Sequence, residues 1–163
     1  MAASAGTIAQ ECVEGYLFVR RPLSFLLLRR PPARGSIWVP VSGKVEPTDA
    51  DFVAALRREL TEETGFRTYE DPFSLDWHVP FTGPDGRPWR LHAYGVELPD
   101  PAPPRLSPEH VAYAWVPQAV ALERLHYPDN QEALRRLGQR ISKDSAKPGL
   151  GAPAVSDRAG QVP

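Results

Sequence analysis

Three glutamates, Glu59, Glu62 and Glu63, stand at positions i, i+3 and i+4, so that on a helix their carboxylates crowd one flank and repel one another. They would occupy the last turn, where the helix macrodipole also disfavours anions. A hard divalent cation offsets both costs. Mg²⁺ takes oxygen ligands and is usually held by a few carboxylates together with the phosphate oxygens of a substrate. An acidic helical flank is more often a solvated face. This one lies within the string Arg58-Glu59-Leu60-Thr61-Glu62-Glu63-Thr64-Gly65-Phe66, behind a glycine loop and a short apolar strand, and that setting favours metal binding.

The element that must carry these groups is legible. No Pro or Gly falls between Asp51 and Thr64, and Phe52, Val53, Leu56 and Leu60 recur at helical spacing, giving an amphipathic helix. Thr48, Asp49 and Asp51 are candidate N-caps, and Gly65 stands where a left-handed residue closes a helix. Ahead of it, Cys12 to Arg20 and Ser24 to Arg29 read as a hairpin of two strands, stopped by Pro31-Pro32. Arg29 and Arg30 at the end of that hairpin could bind phosphate through forked hydrogen bonds. Ile37 to Val41 reads as a short strand leading to Ser42-Gly43. Its Trp38 could stack on a nucleobase or pterin ring, or belong to the core.

Beyond the helix, Phe73 to Phe81 and Trp89 to Leu98 form a second expected hairpin around Thr82-Gly83-Pro84-Asp85-Gly86. His78 and His92 on it lack zinc-site spacing and read as satisfied surface or core groups. Pro99 to Pro104 is a stiff connector. Val111, Tyr113 and Trp115 alternate with Ala112 and Ala114, which suggests a strand with its aromatic face buried. A short helix over Gln118 to Leu125 and a final one from Asp129 to Ile141 complete the folded part, taken as residues 11–141. Residues 1–10 read as a loose arm and 142–163, rich in Ser, Ala, Gly and Pro, as a disordered tail.

Gly43 and the string from Arg58 to Phe66 resemble the box of the Nudix family: G, five residues, E, seven residues, then R-E-U-x-E-E-x-G-U with U apolar. The right half matches at every fixed position. The left half is one residue longer than the pattern, so that Ala50 falls where the first Glu belongs when counted from Arg58, and Asp49 when counted from Gly43. Asp49 or Asp51 stands in for it. Two further stretches, Ile37 to Glu46 and Glu109 to Trp115 continuing at Asp129 to Ala133, resemble the dihydroneopterin triphosphate pyrophosphatase branch, also described as dATP pyrophosphohydrolases.

The resemblance implies an α/β fold, an α/β/α sandwich with a mixed sheet between helices. It implies Mg²⁺, with Mn²⁺ as an alternative, held by Glu59, Glu62, Glu63 and the backbone of Gly43. It implies Arg58 paired with a carboxylate, Glu109 as a further ligand or general base, and Lys44 beside Arg29, Arg30 and Trp38 as substrate contacts. The expected reaction is hydrolysis of a nucleoside or pterin triphosphate at a phosphoanhydride, releasing pyrophosphate. Hydrolysis of dinucleotides, nucleotide sugars or capped RNA, and a catalytically silent nucleotide- or protein-binding module, are the alternatives.

Composition narrows the rest. With 163 residues and 42% hydrophobic content the chain suits one domain with a proper core. A net charge of −1 argues against a general nucleic-acid or membrane-surface binder. The single cysteine, Cys12, forbids an internal disulfide, and the apolar runs are too short to cross a bilayer. A soluble cytoplasmic enzyme of a small-molecule phosphoanhydride is the expectation, with a homodimer left open.

Overall fold

The computed structural model describes residues 6–146. Strand β1 (Gln10–Arg20) is the spine of a seven-stranded mixed sheet. Its side chains alternate between two apolar cores. Val13, Leu17 and Val19 face one and Tyr16 and Phe18 the other, which is why β1 reads as a nearly unbroken apolar run rather than a half-polar one. One edge of β1 pairs in parallel with β6 (Pro88–Glu97), from Gln10 opposite Trp89 to Phe18 opposite Glu97. The other edge is divided. Phe18 to Arg20 pair antiparallel with β2 (Leu23–Arg29), and Cys12 to Gly15 with β4 (Val41–Lys44).

Strand β3 (Trp38–Val39) and β7 (Ala112–Val116) both pair with β2, and β5 (Phe73–Thr82) pairs with β6. Helix α1 (Phe52–Thr64) covers one face through Ala55, Leu56 and Leu60. Helices α2 (Gln118–Arg124) and α3 (Pro128–Ala146) cover the other through Ala121, Ala133, Leu134, Leu137 and Ile141. The expected α/β/α sandwich with a mixed sheet is the observed fold, and both hairpins and all three helices stand where the sequence placed them.

Two details differ. Helix α3 runs on to Ala146, so residues 142–146, assigned to the tail, are helical; 147–163 lie outside the described residues, as do 1–5 of the arm. The expected buried aromatic face of β7 is not formed: Val111 and Tyr113 are 55% and 40% exposed. The reason is position, since β7 pairs with β2 while α1 sits over β1 and β4 and leaves the start of β7 uncovered. Trp115, further along, does reach the α1 core, and its indole N–H donates to the Ala102 carbonyl at 2.9 Å. As expected of a satisfied core group, His92 is buried in the second hairpin, stacked on Phe52 and bonded to Glu11, while its Nδ1 meets the Nδ1 of His78 at 2.8 Å.

One polar group is sealed between β1 and α3. The Glu14 carboxylate accepts from the Tyr16 hydroxyl at 2.6 Å and from the Asn130 amide at 3.1 Å, and the Asn130 carbonyl oxygen has no partner among the described residues. Burial pushes the Glu14 carboxyl up to about 7, against the pull of those donors. The folded chain therefore holds a proton there between about pH 4.5 and 7 that the unfolded chain has released, and stability falls as pH rises across that window. Glu14→Gln removes the burden and supplies an amide able to donate to the Asn130 oxygen. Urea denaturation should find the variant close to wild type at pH 5 and more stable at pH 8; the reverse order would contradict this account.

Candidate active site

Asp51 starts α1 by accepting from the Ala54 amide at 2.7 Å, and Gly65 ends it at φ 75°, its N–H on the Thr61 carbonyl. Between these caps the apolar stripe seats the helix on β1 and β4, which carries its last turn against the Ser42-Gly43 backbone. Glu59 and Glu63 are thereby buried, at 8% and 3% exposure, while Glu62 one step round stays exposed. All three line one cleft of about 390 Å³. Gly43 is required by close approach: a Cβ there would run into the Glu59 carboxylate.

Opposite the helix, the loop before β7 contributes Glu109 and His110, and the segment leaving β2 contributes Arg30 and Arg34, the latter from a 3-10 turn over Pro32–Arg34. Lys44 lines the floor, its ammonium 5.0 Å from the Trp89 ring centre. A cleft lined by both carboxylates and guanidiniums suits a cation and a polyanion held together. Ligand atoms of Glu63, Glu109 and His110 lie within 4.8 Å of one another.

The charges behave accordingly. Burial pushes the Glu63 carboxyl up to about 9, and the neighbouring Glu59 and Glu109 carboxylates push the same way against one backbone N–H bond from Ser42 at 3.3 Å. Glu59 is raised too, chiefly by burial, with Arg58 opposing. For His110 burial lowers the imidazole below its usual value, Glu109 opposes, and Arg30 and Arg34 add to the lowering. Two buried carboxylates beside further carboxylates form a donor set that fits a divalent cation, which would supply the positive charge this cluster lacks.

Arg58 sets the outer edge of the cluster. Its guanidinium holds both oxygens of Asp49, at 3.0 and 2.8 Å, while reaching Glu59 at 2.9 Å and the Lys44 carbonyl at 2.9 Å. That grip, helped by the Glu46 N–H, keeps the Asp49 carboxyl down at about 2. The two stand-ins for the missing box glutamate are thus told apart: Asp49 is the partner of Arg58, and Asp51 is a helix cap.

Not every expected residue reaches the cleft. Arg29 donates to the Ser36 carbonyl at 3.2 Å, and it and Arg124 lie 5.9 and 5.5 Å from the Trp38 ring centre. Neither Arg29 nor Trp38 lines the cleft, because β3 pairs with β2 and packs Trp38 towards the α2 and α3 core. Arg34 and His110 were missed. Arg34 sits in a proline turn with no periodic pattern; His110 directly follows Glu109, and that adjacency was the available signal.

Unfolding releases the Glu63 proton between about pH 4.5 and 9, so the cation-free protein loses stability as pH rises through that range. Glu63→Gln should raise Tm at pH 8 in EDTA by about 3 °C or more and lose the added stability that Mn²⁺ gives wild type. Asp51→Ala should cost about 1 kcal/mol in urea unfolding with unchanged Mn²⁺ affinity. Asp49→Ala should instead weaken Mn²⁺ binding by roughly tenfold through the freed Arg58.

The comparisons with known proteins agree with this geometry. Residues 14–137 match the model of the NUDIX domain. The chain is 37% identical over 114 residues to an octanoyltransferase of Myxococcus xanthus, a match covering 68% of this chain and 31% of that protein, so the chain spans about a third of the relative's length. An Ap4A hydrolase of C. elegans superposes with a TM-score of 0.69 at 23% identity, over 83% of this chain and 99% of the other. The dihydroneopterin triphosphate pyrophosphohydrolase of E. coli does so with a TM-score of 0.69 at 18% identity, over 82% and 99%. Among the described residues, no helix is long and apolar enough to cross a membrane. The chain belongs to the NUDIX domain family.

Proposed function

We propose that this protein hydrolyses a nucleoside or pterin triphosphate at a phosphoanhydride in the presence of Mg²⁺ or Mn²⁺, releasing pyrophosphate and a monophosphate. The observation that carries the reading is the burial of Glu59 and Glu63 in one cleft that Arg30 and Arg34 also line. Glu59, Glu62 and Glu63, with the Gly43 backbone, would hold the cation, which when bound neutralises phosphate oxygens and acidifies water. Arg30, Arg34 and Lys44 hold the phosphate chain. The attacking water forms a new P–O bond, the bridging P–O bond breaks with its electron pair leaving on the pyrophosphate, and the water's proton passes to a cleft carboxylate oxygen that the cation does not engage. Arg58, braced on Asp49, fixes the Glu59 rotamer, a positioning task.

The octanoyltransferase relative does not carry acyl transfer to this chain. An acyl group relayed on a thiolate needs an accessible thiol of lowered pKa. The single cysteine, Cys12, is buried, and burial pushes its thiol up to about 11. The likeness to an Ap4A hydrolase supports a second reading, cleavage of a dinucleoside polyphosphate.

Product masses separate the two. Incubated with Mg²⁺ or Mn²⁺ and a panel of nucleoside and pterin triphosphates, dinucleotides and nucleotide sugars, the enzyme should give pyrophosphate and a monophosphate. Two nucleotide products would transfer the assignment to dinucleotides. Binding without turnover on every substrate would make the chain a silent module. Glu63→Gln should lower kcat by about 100-fold or more with the fold intact.

A further inference from the structure

We propose that His110 is a nitrogen ligand of a divalent cation held with Glu63 and Glu109, so that this position prefers a transition ion such as Mn²⁺ or Co²⁺ to Mg²⁺. The inference rests on the reading of the cleft as a cation-dependent hydrolytic site and adds a ligand, and with it a metal preference, to that site.

Two independent observations point to it. Ring nitrogen and carboxylate oxygens of His110, Glu63 and Glu109 gather within 4.8 Å, a spread that one ion has only to draw in slightly. His110 is also more than nine-tenths buried, yet its Nδ1 has no hydrogen-bond partner among the described residues. An imidazole nitrogen shut away from water with nothing to bond costs free energy unless a ligand satisfies it. All three residues line the same cleft, and a ring nitrogen of His110 is among the gathered ligand atoms.

The residue is held in place from its backbone. The His110 N–H donates to the Ser107 carbonyl at 3.2 Å, the Glu109 N–H to the Ser107 hydroxyl at 3.3 Å, and the Val111 N–H to the Arg29 carbonyl at 2.8 Å. The loop therefore presents Glu109 and His110 as a fixed pair to the C-terminal turn of α1. The three come from two separate stretches of chain, and the box supplies Glu63 alone.

Donor chemistry sets the preference. Mg²⁺ favours an all-oxygen octahedron and gives up its waters reluctantly, whereas first-row transition ions accept imidazole more readily, Mn²⁺ the least of them and Co²⁺ more strongly. A mixed position of two carboxylates and one imidazole discriminates in their favour.

Pulsed EPR on the full-length protein loaded with Mn²⁺ tests this directly. Nitrogen modulation from a directly bound nucleus should be present, should change from the ¹⁴N to the ¹⁵N pattern when the protein is grown with ¹⁵N-labelled histidine, and should vanish in His110→Gln. That variant should still bind Mn²⁺, about 10- to 100-fold more weakly, with Mg²⁺ affinity nearly unchanged. Mn²⁺ bound in a Glu63-dependent manner with no histidine modulation in wild type overturns the proposal and leaves the hydrolytic reading standing. Modulation that persists in His110→Gln assigns the nitrogen to another histidine and also overturns it. Failure of wild type to bind Mn²⁺ at all removes both. The labelled wild-type sample keeps the test decisive should His110→Gln fold poorly.

Discussion

Two carboxylates kept out of water are the constraint on which the site depends. Glu59 and Glu63 are pressed against β4 by the same helix that fills one of the two cores, so their burial cannot be relieved without unseating α1. Arg58 reaches Glu59 but is itself committed to Asp49 and the Lys44 carbonyl, and Glu63 has a backbone N–H and two carboxylate neighbours. A buried carboxyl so poorly compensated that it holds its proton is a cost that folding alone does not explain. It becomes intelligible as preorganisation, with donors fixed in place before the cation and the polyphosphate arrive.

The sheet makes this possible through the divided edge of β1. Because β2 takes the Phe18 to Arg20 end and β4 the Cys12 to Gly15 end, the chain leaving β2 and the chain in β4 both border the cleft. Arg30 and Arg34 come from the first and Gly43 and Lys44 from the second. The acidic wall comes from α1, and the loop before β7 closes the far side because β7 pairs with the other edge of β2. Two apolar cores, one on each face, hold these segments in register, and neither contributes a polar group to the cleft beyond those on α1.

Local signals were therefore the readable ones. Helix α1 could be read with both caps because its stripe, Asp51 and Gly65 all act within a few residues, and the glutamate spacing decides which side chains share a flank. What the spacing could not convey is the difference between Glu62 and Glu63, one exposed and one buried, which β4 imposes from outside the helix. Trp38 and Arg29 were drawn towards the substrate by their residue types, yet the pairing of β3 with β2 turns Trp38 to the α2 and α3 core. Tyr113 was expected inside from alternation alone, and alternation cannot tell a strand covered by a helix from one beyond its reach. The one-residue discrepancy in the box resolved into two tasks, Asp49 bracing Arg58 and Asp51 capping the helix, because the inserted loop spans the distance between them.

If the cleft is built to trade a proton for a cation, the exchange is countable. Titration calorimetry of Mn²⁺ binding at pH 7.5, repeated in buffers of different ionisation enthalpy, reads the number of protons released per ion. With the Glu63 carboxyl held up at about 9 in the cation-free protein, close to one proton should leave as each ion binds, and Glu63→Gln should abolish the release. Binding without proton release, or an unchanged release in the variant, would contradict the claim that the buried carboxylates exist to be neutralised by metal.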